Sequence, residues 1–310
     1  MGESATTRPT VCGFSFGRNL STLDYPVEQS VRSILPLCDR FVFAVGQSDD
    51  DSRERVAAIE SDTGVKIEIV DTEWPDVRTG GKVLAVEANK AMTAAEATGC
   101  DWGFYIQADE VIHEKDIPLI RDAMSRWQNV SQVKALMFQY LHFVMDYQTI
   151  DPWMYHKASR VIRLDETCHI VGDGCGPKMR SYSGRVHGGN GYLDKHHLGG
   201  HVQWAADATG SARARVFHYG WVKSREELEA KMGMLEKLWW GRLDAGQAQA
   251  KRADKLAHLV DRYPILKKYD GLHPAVMAQR IAGHERFARV SSRWINPRFY
   301  AEVLRHGFHG

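Results

Sequence analysis

A chain of 310 residues with 44% hydrophobic and 25% charged side chains has the balance of a folded globular protein and excludes a disordered or fibrous one. That length allows one large α/β domain with additions, or two modest domains. With 40 basic residues against 39 acidic, no whole-molecule field draws the chain to nucleic acid, so an anionic ligand must be recognised locally. Residues 1–10 are polar, and no window approaches the about 18 apolar residues of a spanning helix, which predicts a cytoplasmic protein. Five cysteines, Cys12, Cys38, Cys100, Cys168 and Cys175, are odd in number and lack CxxC spacing, so reduced, mostly buried thiols are expected. Cys168 and His169 with Cys175 form at most a partial zinc set.

The first half alternates strand-like and helix-like segments, the rhythm of βαβ units on a mostly parallel sheet. Val11 to Phe16 reads as the first strand, and Tyr25 to Leu37 as a helix carrying Val27, Val31, Ile34 and Leu35 at helical spacing. Arg40 to Val45 is an unbroken apolar run suited to a strand buried on both faces. Asp51 to Asp62 reads as a helix, Val65 to Val70 as the third strand, Lys82 to Ala97 as an alanine-rich helix and Trp102 to Gln107 as the fourth strand. Lys115 to Trp127 is a further helix, and strands are expected at Lys134 to Met145, Ser159 to Leu164 and Ala212 to Tyr219. From Thr167 to Gly210 glycine and histidine are dense and periodicity is lost, which predicts loops closing over a site. Ser224 with Glu227 reads as a capping box opening a helix with Leu228, Met232, Leu235 and Leu238 on its apolar stripe. The expected division is a catalytic α/β domain over 1–223 and a helical extension over 224–310.

The most informative segment is Asp101-Trp-Gly-Phe-Tyr-Ile-Gln-Ala-Asp-Glu110, an apolar strand ending in adjacent carboxylates. The carboxyl edge of an open α/β sheet is where ligands bind. Two carboxylates fixed there ask for a cation, and hard oxygen donors suit magnesium or manganese, although a plain acidic turn has the same residues. The first strand empties into Phe14-Ser-Phe-Gly-Arg-Asn19, where Arg18 offers a fork for phosphate. The second empties into Gly46-Gln-Ser-Asp-Asp-Asp-Ser52, whose side chains suit either helix capping or a nucleoside. Arg78-Thr-Gly-Gly-Lys82 sets two cations at a helix start, where exposed amides also favour anions. Late in the chain, Arg215-Val-Phe-His-Tyr-Gly-Trp-Val222 ends a β-type run in His218, a candidate imidazole ligand fixed by aromatic neighbours.

Taken together, residues 10 to 225 resemble the glycosyltransferase family 2-like enzymes of the GT-A fold. Gln107-Ala-Asp-Glu110 stands where that family's DXD signature falls, with Gln107 replacing its first acidic residue, and His218 looks like its late metal-binding histidine. The resemblance implies a GT-A-like, mostly parallel sheet flanked by helices and transfer of a sugar from a nucleotide-sugar. It also implies a manganese or magnesium ion held by Asp109, Glu110 and His218 against the donor diphosphate. Ser15, Arg18, Asn19, Ser48, Asp49, Asp51, Arg78, Lys82 and Gln107 are then the donor-binding candidates. Most members invert the anomeric centre with a carboxylate base, and the candidates are Asp173, in Val171-Gly-Asp-Gly-Cys-Gly176, and Asp207. The expected acceptor is a glycan or lipid-linked, as in bacterial surface polysaccharide synthesis.

Two other classes fit parts of the chain. His187, His196, His197 and His201, with His218, suit a zinc hydrolase, although Leu198-Gly-Gly200 argues against a helix between the last pair of the cluster. A binding protein that reads sugars or nucleotides without turnover has the same fold requirements. The tail from Ser291 to Gly310 mixes Arg293, Arg298 and Arg305 with Trp294, Phe299 and Tyr300, which suits a strap packed on the domain or a peripheral membrane contact. Met232, Met234, Trp239 and Trp240 read as core or an oligomer contact rather than a cofactor site.

Overall fold

The computed structural model describes residues 8–75, 81–181, 201–240, 250, 261–284 and 293–308. Strands β1 (Val11–Gly17), β2 (Arg40–Gly46), β3 (Ile67–Thr72) and β4 (Trp102–Tyr105) pair in parallel, in the spatial order β3-β2-β1-β4. Their apolar runs divide between the two sheet faces with the period of two that a strand imposes. Val11, Phe41, Phe43 and Phe104 pack against Val27, Val31 and Ile34 of α1 (Val27–Ile34) and Val56 and Ile59 of α2 (Ser52–Thr63). Cys12, Phe14, Val42 and Ala44 face Ala85, Ala88, Ala91 and Met92 of α3 (Lys82–Glu96). The small residues of α3 let it lie close on the sheet.

Beyond β4 the sheet changes direction. β5 (Glu110–Ile112) leads through α4 (Ile117–Trp127) to the long β6 (Ala135–Val144) and, after the short β7 (Thr149–Ile150), to β8 (Lys157–Arg163). β8 runs antiparallel between β4 and β6. β12 (Arg215–Trp221) lies parallel to β6 and antiparallel to β5, which brings a late strand beside the tip of β4. The result is a curled, mostly parallel sheet with helices on both faces and further helices towards the carboxyl end.

The stretch expected as loops from Thr167 to Gly210 is more ordered than its composition suggests. β9 (Cys168–Val171) and β10 (Gly176–Met179) form a hairpin, and β11 (Val202–Trp204) adds to β6 in parallel. Strands this short display too few alternations to be read as a period. The hairpin turn is tight because Gly172 and Gly174 take φ of 65° and 80°, the left-handed region open to glycine. Residues 182–200, with His187, His196 and His197, lie outside the described residues.

The capping box is present and reciprocal. The Ser224 amide donates to Glu227 Oε2 at 2.7 Å and the Glu227 amide to Ser224 Oγ at 3.3 Å, opening α5 (Arg225–Trp240). Leu228 and Met232 of α5 pack with Trp221, while Met234 turns to the cleft described below. The side chains of Trp239 and Trp240 lie outside the described residues. In the tail, Phe299 is buried and meets Trp153 at 6.1 Å between ring centroids, whereas Ile295 and Leu304 are 76% and 88% exposed. Among the described residues no helix is long and apolar enough to cross a membrane.

Because α5 begins at this box, Ser224→Ala is expected to destabilise the fold by about 1 kcal/mol, read as a lowered urea midpoint with unchanged slope. A midpoint equal to that of the wild type would show that α5 is held by packing alone.

Candidate active site

β1 and β4 run in the same direction and end at one edge, so the chain leaves both towards the same cleft of about 570 Å³. After β4 the chain turns at Gln107, whose carbonyl accepts from the Glu110 amide at 3.0 Å, and enters β5 with Glu110 opposite His218 of β12. The Tyr219 amide donates to the Asp109 carbonyl at 2.8 Å, which fixes the register. Asp109 lies in the turn before β5 and Glu110 is the first residue of that strand, and the two adjacent carboxylates part company there. Asp109 enters the cleft and Glu110 enters the interior.

Glu110 is therefore not a metal ligand, contrary to expectation. Its carboxylate is fully buried and gripped by both forks of Arg160, Nε to Oε2 at 2.7 Å and Nη2 to Oε1 at 2.5 Å. Tyr140 also donates its hydroxyl to Oε1, and the Gln107 amide donates to Oε2 at 3.1 Å. All the acceptor capacity of Glu110 is engaged inside the protein. Burial opposes the charge of Arg160, but Glu110 overrides it and holds the guanidinium pKa well above its ordinary value.

Asp109 meets a different cation. Lys231 of α5 places Nζ 3.2 Å from Asp109 Oδ2 and 2.8 Å from the Gly220 carbonyl oxygen. His218 Nε2 lies 3.5 Å from the same carboxylate oxygen. All three side chains are buried. Burial alone would push the Asp109 carboxyl up; the Lys231 ammonium and His218 overcome it and hold the acid far below the usual carboxylate range. Gly220 makes the cluster sterically feasible, because a Cβ there would stand 2.3 Å from Asp109 Oδ2 and 2.8 Å from both His218 Nε2 and Lys231 Nζ.

Behind His218 sits His142 of β6, with the two Nδ1 atoms 3.2 Å apart. His142 Nε2 lies 2.8 Å from the Tyr155 carbonyl, which can only accept, so Nε2 carries the proton. Burial, and then His218, drive the His142 pKa well below the ordinary value, leaving a neutral ring whose Nδ1 accepts from His218 Nδ1. That bond orients His218 Nε2 towards Asp109 and the cleft.

The turn that carries Asp173 is docked on the tip of β4. Gln107 Nε2 and the Tyr105 hydroxyl both donate to the Gly174 carbonyl, at 2.9 and 2.6 Å, and Arg160 Nη1 donates to the Cys175 carbonyl at 2.8 Å. A carboxylate at position 107 has no proton to give to Gly174, which accounts for the glutamine where the resemblance expects an acid. Asp173 lines the cleft, half-buried, and desolvation raises its carboxyl pKa. Arg18 and Trp74 line the same cleft, and their Nε and Nε1 donors are buried without a partner among the described residues.

Several expected donor contacts fall elsewhere. Ser15 is fully buried within β1 and does not line the cleft. Asn19 and Ser48 bind one another's loops: the Asn19 amide donates to Ser48 Oγ at 3.0 Å and the Asp49 amide to Asn19 Oδ1 at 3.1 Å. Asp49 and Asp51 are exposed outside the cleft, and Asp51 accepts from the Ser21 hydroxyl. In this turn the structural work falls to Asp50, which accepts from the amides of Ser21, Thr22 and Ser52 at 3.0, 2.8 and 3.0 Å. Lys82 is exposed at the start of α3 and does not reach the cleft. Arg78 lies outside the described residues. Asp207 is no base candidate, because it closes a surface turn by accepting from Ser211 and Thr209. His201, of the expected zinc cluster, bonds the Gln132 carbonyl at 2.6 Å.

Asp109 and His218, expected to hold a divalent ion, do converge. Among the described residues, however, no group of three or more His, Cys, Asp or Glu side chains gathers to hold one. The oxygen that Asp109 shares with His218 already accepts from an ammonium. These residues do not form a divalent-ion site on their own. Lys231, Arg160, His142 and Trp74 were not singled out from the sequence; His142, a polar residue inside the apolar run of β6, gives a local sign of burial.

No protein-family model and no curated protein matches the chain. Among solved structures, S. aureus TarS is similar over 82% of this chain at 11% identity, with a TM-score of 0.36, and the chain spans 43% of that protein's length. Residues 1–349 of TarS in complex with UDP give 13% identity over 82% of this chain and 71% of that one, with a TM-score of 0.35. Glucosyl-3-phosphoglycerate synthase from Mycobacterium tuberculosis, in complex with Mn2+, UDP-glucose and phosphoglyceric acid, gives 18% identity over 45% of this chain and 46% of that one, with a TM-score of 0.31. The chain's own strand order and helix placement make a GT-A-like α/β fold.

Removing one partner of the interior ion pair isolates a buried charge. Arg160→Met is expected to destabilise the protein by about 3–5 kcal/mol in urea unfolding, and Glu110→Gln/Arg160→Met by less. Equal losses in the single and double variants would show that Glu110 is not left uncompensated.

Proposed function

We propose that the chain is a glycosyltransferase that moves a sugar from a nucleoside-diphosphate donor to an acceptor hydroxyl. The observation that carries this reading is the composition of one cleft. It combines a buried ammonium, two N–H donors without an acceptor among the described residues, and a desolvated carboxyl on a rigid turn. Arg18 and Trp74 line the cleft with side chains that can only donate, which suits a ligand rich in oxygen acceptors, such as a diphosphate or ribose. The position, at the carboxyl ends of parallel strands, agrees with how open α/β sheets bind nucleotides.

In this reading the acceptor oxygen attacks the anomeric carbon. The bond from that carbon to the diphosphate oxygen breaks, its electron pair leaves with the nucleoside diphosphate, and the hydroxyl proton passes to Asp173. Attack from the face opposite the leaving group inverts the anomeric centre. Asp173 suits the base because its turn is held by Gln107, Tyr105 and Arg160. Trp153 touches the tail while its neighbours Met154 and Tyr155 line the cleft. The acceptor in this reading is a hydroxyl of a glycan or of a lipid-linked sugar.

A base whose pKa is raised is protonated, and inactive, up to a higher pH than an ordinary carboxylate. The acid limb of kcat is therefore expected above the usual aspartate range near about 4, with activity gained as pH rises through it. Asp173→Asn is expected to lower kcat by about 10²–10⁴-fold while nucleoside-diphosphate affinity and melting temperature hold. Near-normal turnover in Asp173→Asn would remove Asp173 from the chemistry.

A further inference from the structure

We infer that Lys231 is the resident cation of this site: its ammonium meets the donor diphosphate where a divalent ion would otherwise stand, so nucleotide binding needs no metal. The inference rests on the nucleotide-sugar reading and specifies how the leaving group is stabilised.

Four observations support it. Lys231 lines the cleft and is fixed by two acceptors, Asp109 Oδ2 at 3.2 Å and the Gly220 carbonyl at 2.8 Å, so its charge is preorganised. Tyr25 and Trp221 hold their rings 5.0 and 5.3 Å from Nζ, adding the attraction of aromatic faces for a cation. A divalent ion on Asp109 would stand beside this ammonium and be repelled by it. The other residues that would complete an ion site are engaged: Glu110 by Arg160, and the Gln107 amide nitrogen by Gly174.

The role is electrostatic and moves no proton. As the bond between the anomeric carbon and the diphosphate oxygen breaks, the electron pair settles on the diphosphate. The ammonium then faces a more negative oxygen than in the bound donor. That difference lowers the barrier, as an oxyanion hole does.

The full chain is titrated calorimetrically with the uridine, guanosine, adenosine, cytidine and thymidine diphosphates, once with EDTA and once with Mn2+. At least one is expected to bind, with affinities in the two buffers agreeing within about twofold. Lys231→Met is expected to weaken that nucleotide by about 10- to 100-fold with no recovery on adding Mn2+, whereas Lys231→Arg, which keeps the charge, retains most of the affinity. Should Lys231→Met fail to fold with Asp109 left uncompensated, Asp109→Asn/Lys231→Met, neutral at both positions, is expected to show the same loss. A nucleotide that binds only with Mn2+, or binds Lys231→Met as tightly as wild type, overturns the role of Lys231 while leaving the nucleotide reading standing. Absence of binding in both buffers overturns the nucleotide reading, and this inference with it.

Discussion

The Glu110–Arg160 pair is the constraint on which the rest of the site depends. One buried carboxylate accepts from Arg160 of β8, from Tyr140 of β6 and from the amide of Gln107 at the strand tip. The same guanidinium donates to the Cys175 carbonyl in the turn that carries Asp173. Four separate segments are thereby tied to one pair of charges. Tyr105 and Tyr140 present their rings to the guanidinium at 5.1 and 5.5 Å, so the pair sits in an aromatic enclosure rather than in water. A buried pair of this kind adds little net stability compared with apolar packing, but it penalises any arrangement in which either charge loses its partner. Its value here is positional: the tip of β4 and the Asp173 turn are set relative to one another before any ligand arrives.

The tip of β4 divides two neighbouring carboxylates between two cations. The turn between β4 and β5 leaves Asp109 in the cleft with Lys231, and the first residue of β5, Glu110, goes inward to Arg160. The Arg160–Glu110 pair acts together with the Tyr219–Asp109 backbone bond in fixing the register of β5 against β12. The reciprocal capping box at Ser224 and Glu227 has a parallel role for Lys231, since it sets where α5 begins and hence how far along the helix the ammonium is carried.

The parallel half of the fold was legible because it is written in periods. Val11 to Phe16 and Arg40 to Val45 are apolar runs of strand length, and the alanines after Lys82 repeat at helical spacing, so elements and order followed directly. The approach of Asp109 to His218 was legible through the family resemblance, which pairs a strand-tip acid with a late histidine. Which neighbour of Asp109 would face inward was not, because that depends on the three-residue β5 and its register with β12, neither of which leaves a period in the sequence. Asp49 and Asp51 misled for a chemical reason: acids before a helix suit capping and ligand binding equally, and only tertiary contacts show Asp50 taking three backbone amides. Lys231 was illegible for the opposite reason, since a lysine among glutamates on a helix has the local pattern of a solvated face.

A fixed ammonium and an exchangeable metal ion solve the same electrostatic problem with different consequences. A metal ion is drawn from solution, so its site tolerates an apo state in which unpaired carboxylates stand near one another. A lysine is always present, so its desolvation is carried by the fold, and Asp109 and the Gly220 carbonyl must be in place whether or not a ligand is bound. This explains why the cluster is so sterically exact at position 220, where a single added carbon would collide with the carboxylate, the imidazole and the ammonium together. The helix that follows residue 224 contributes to the cleft, because α5 delivers the Lys231 ammonium to Asp109. The position of that helix thereby becomes a determinant of chemistry, and any change that shifts it along its axis would alter the field at the strand tip.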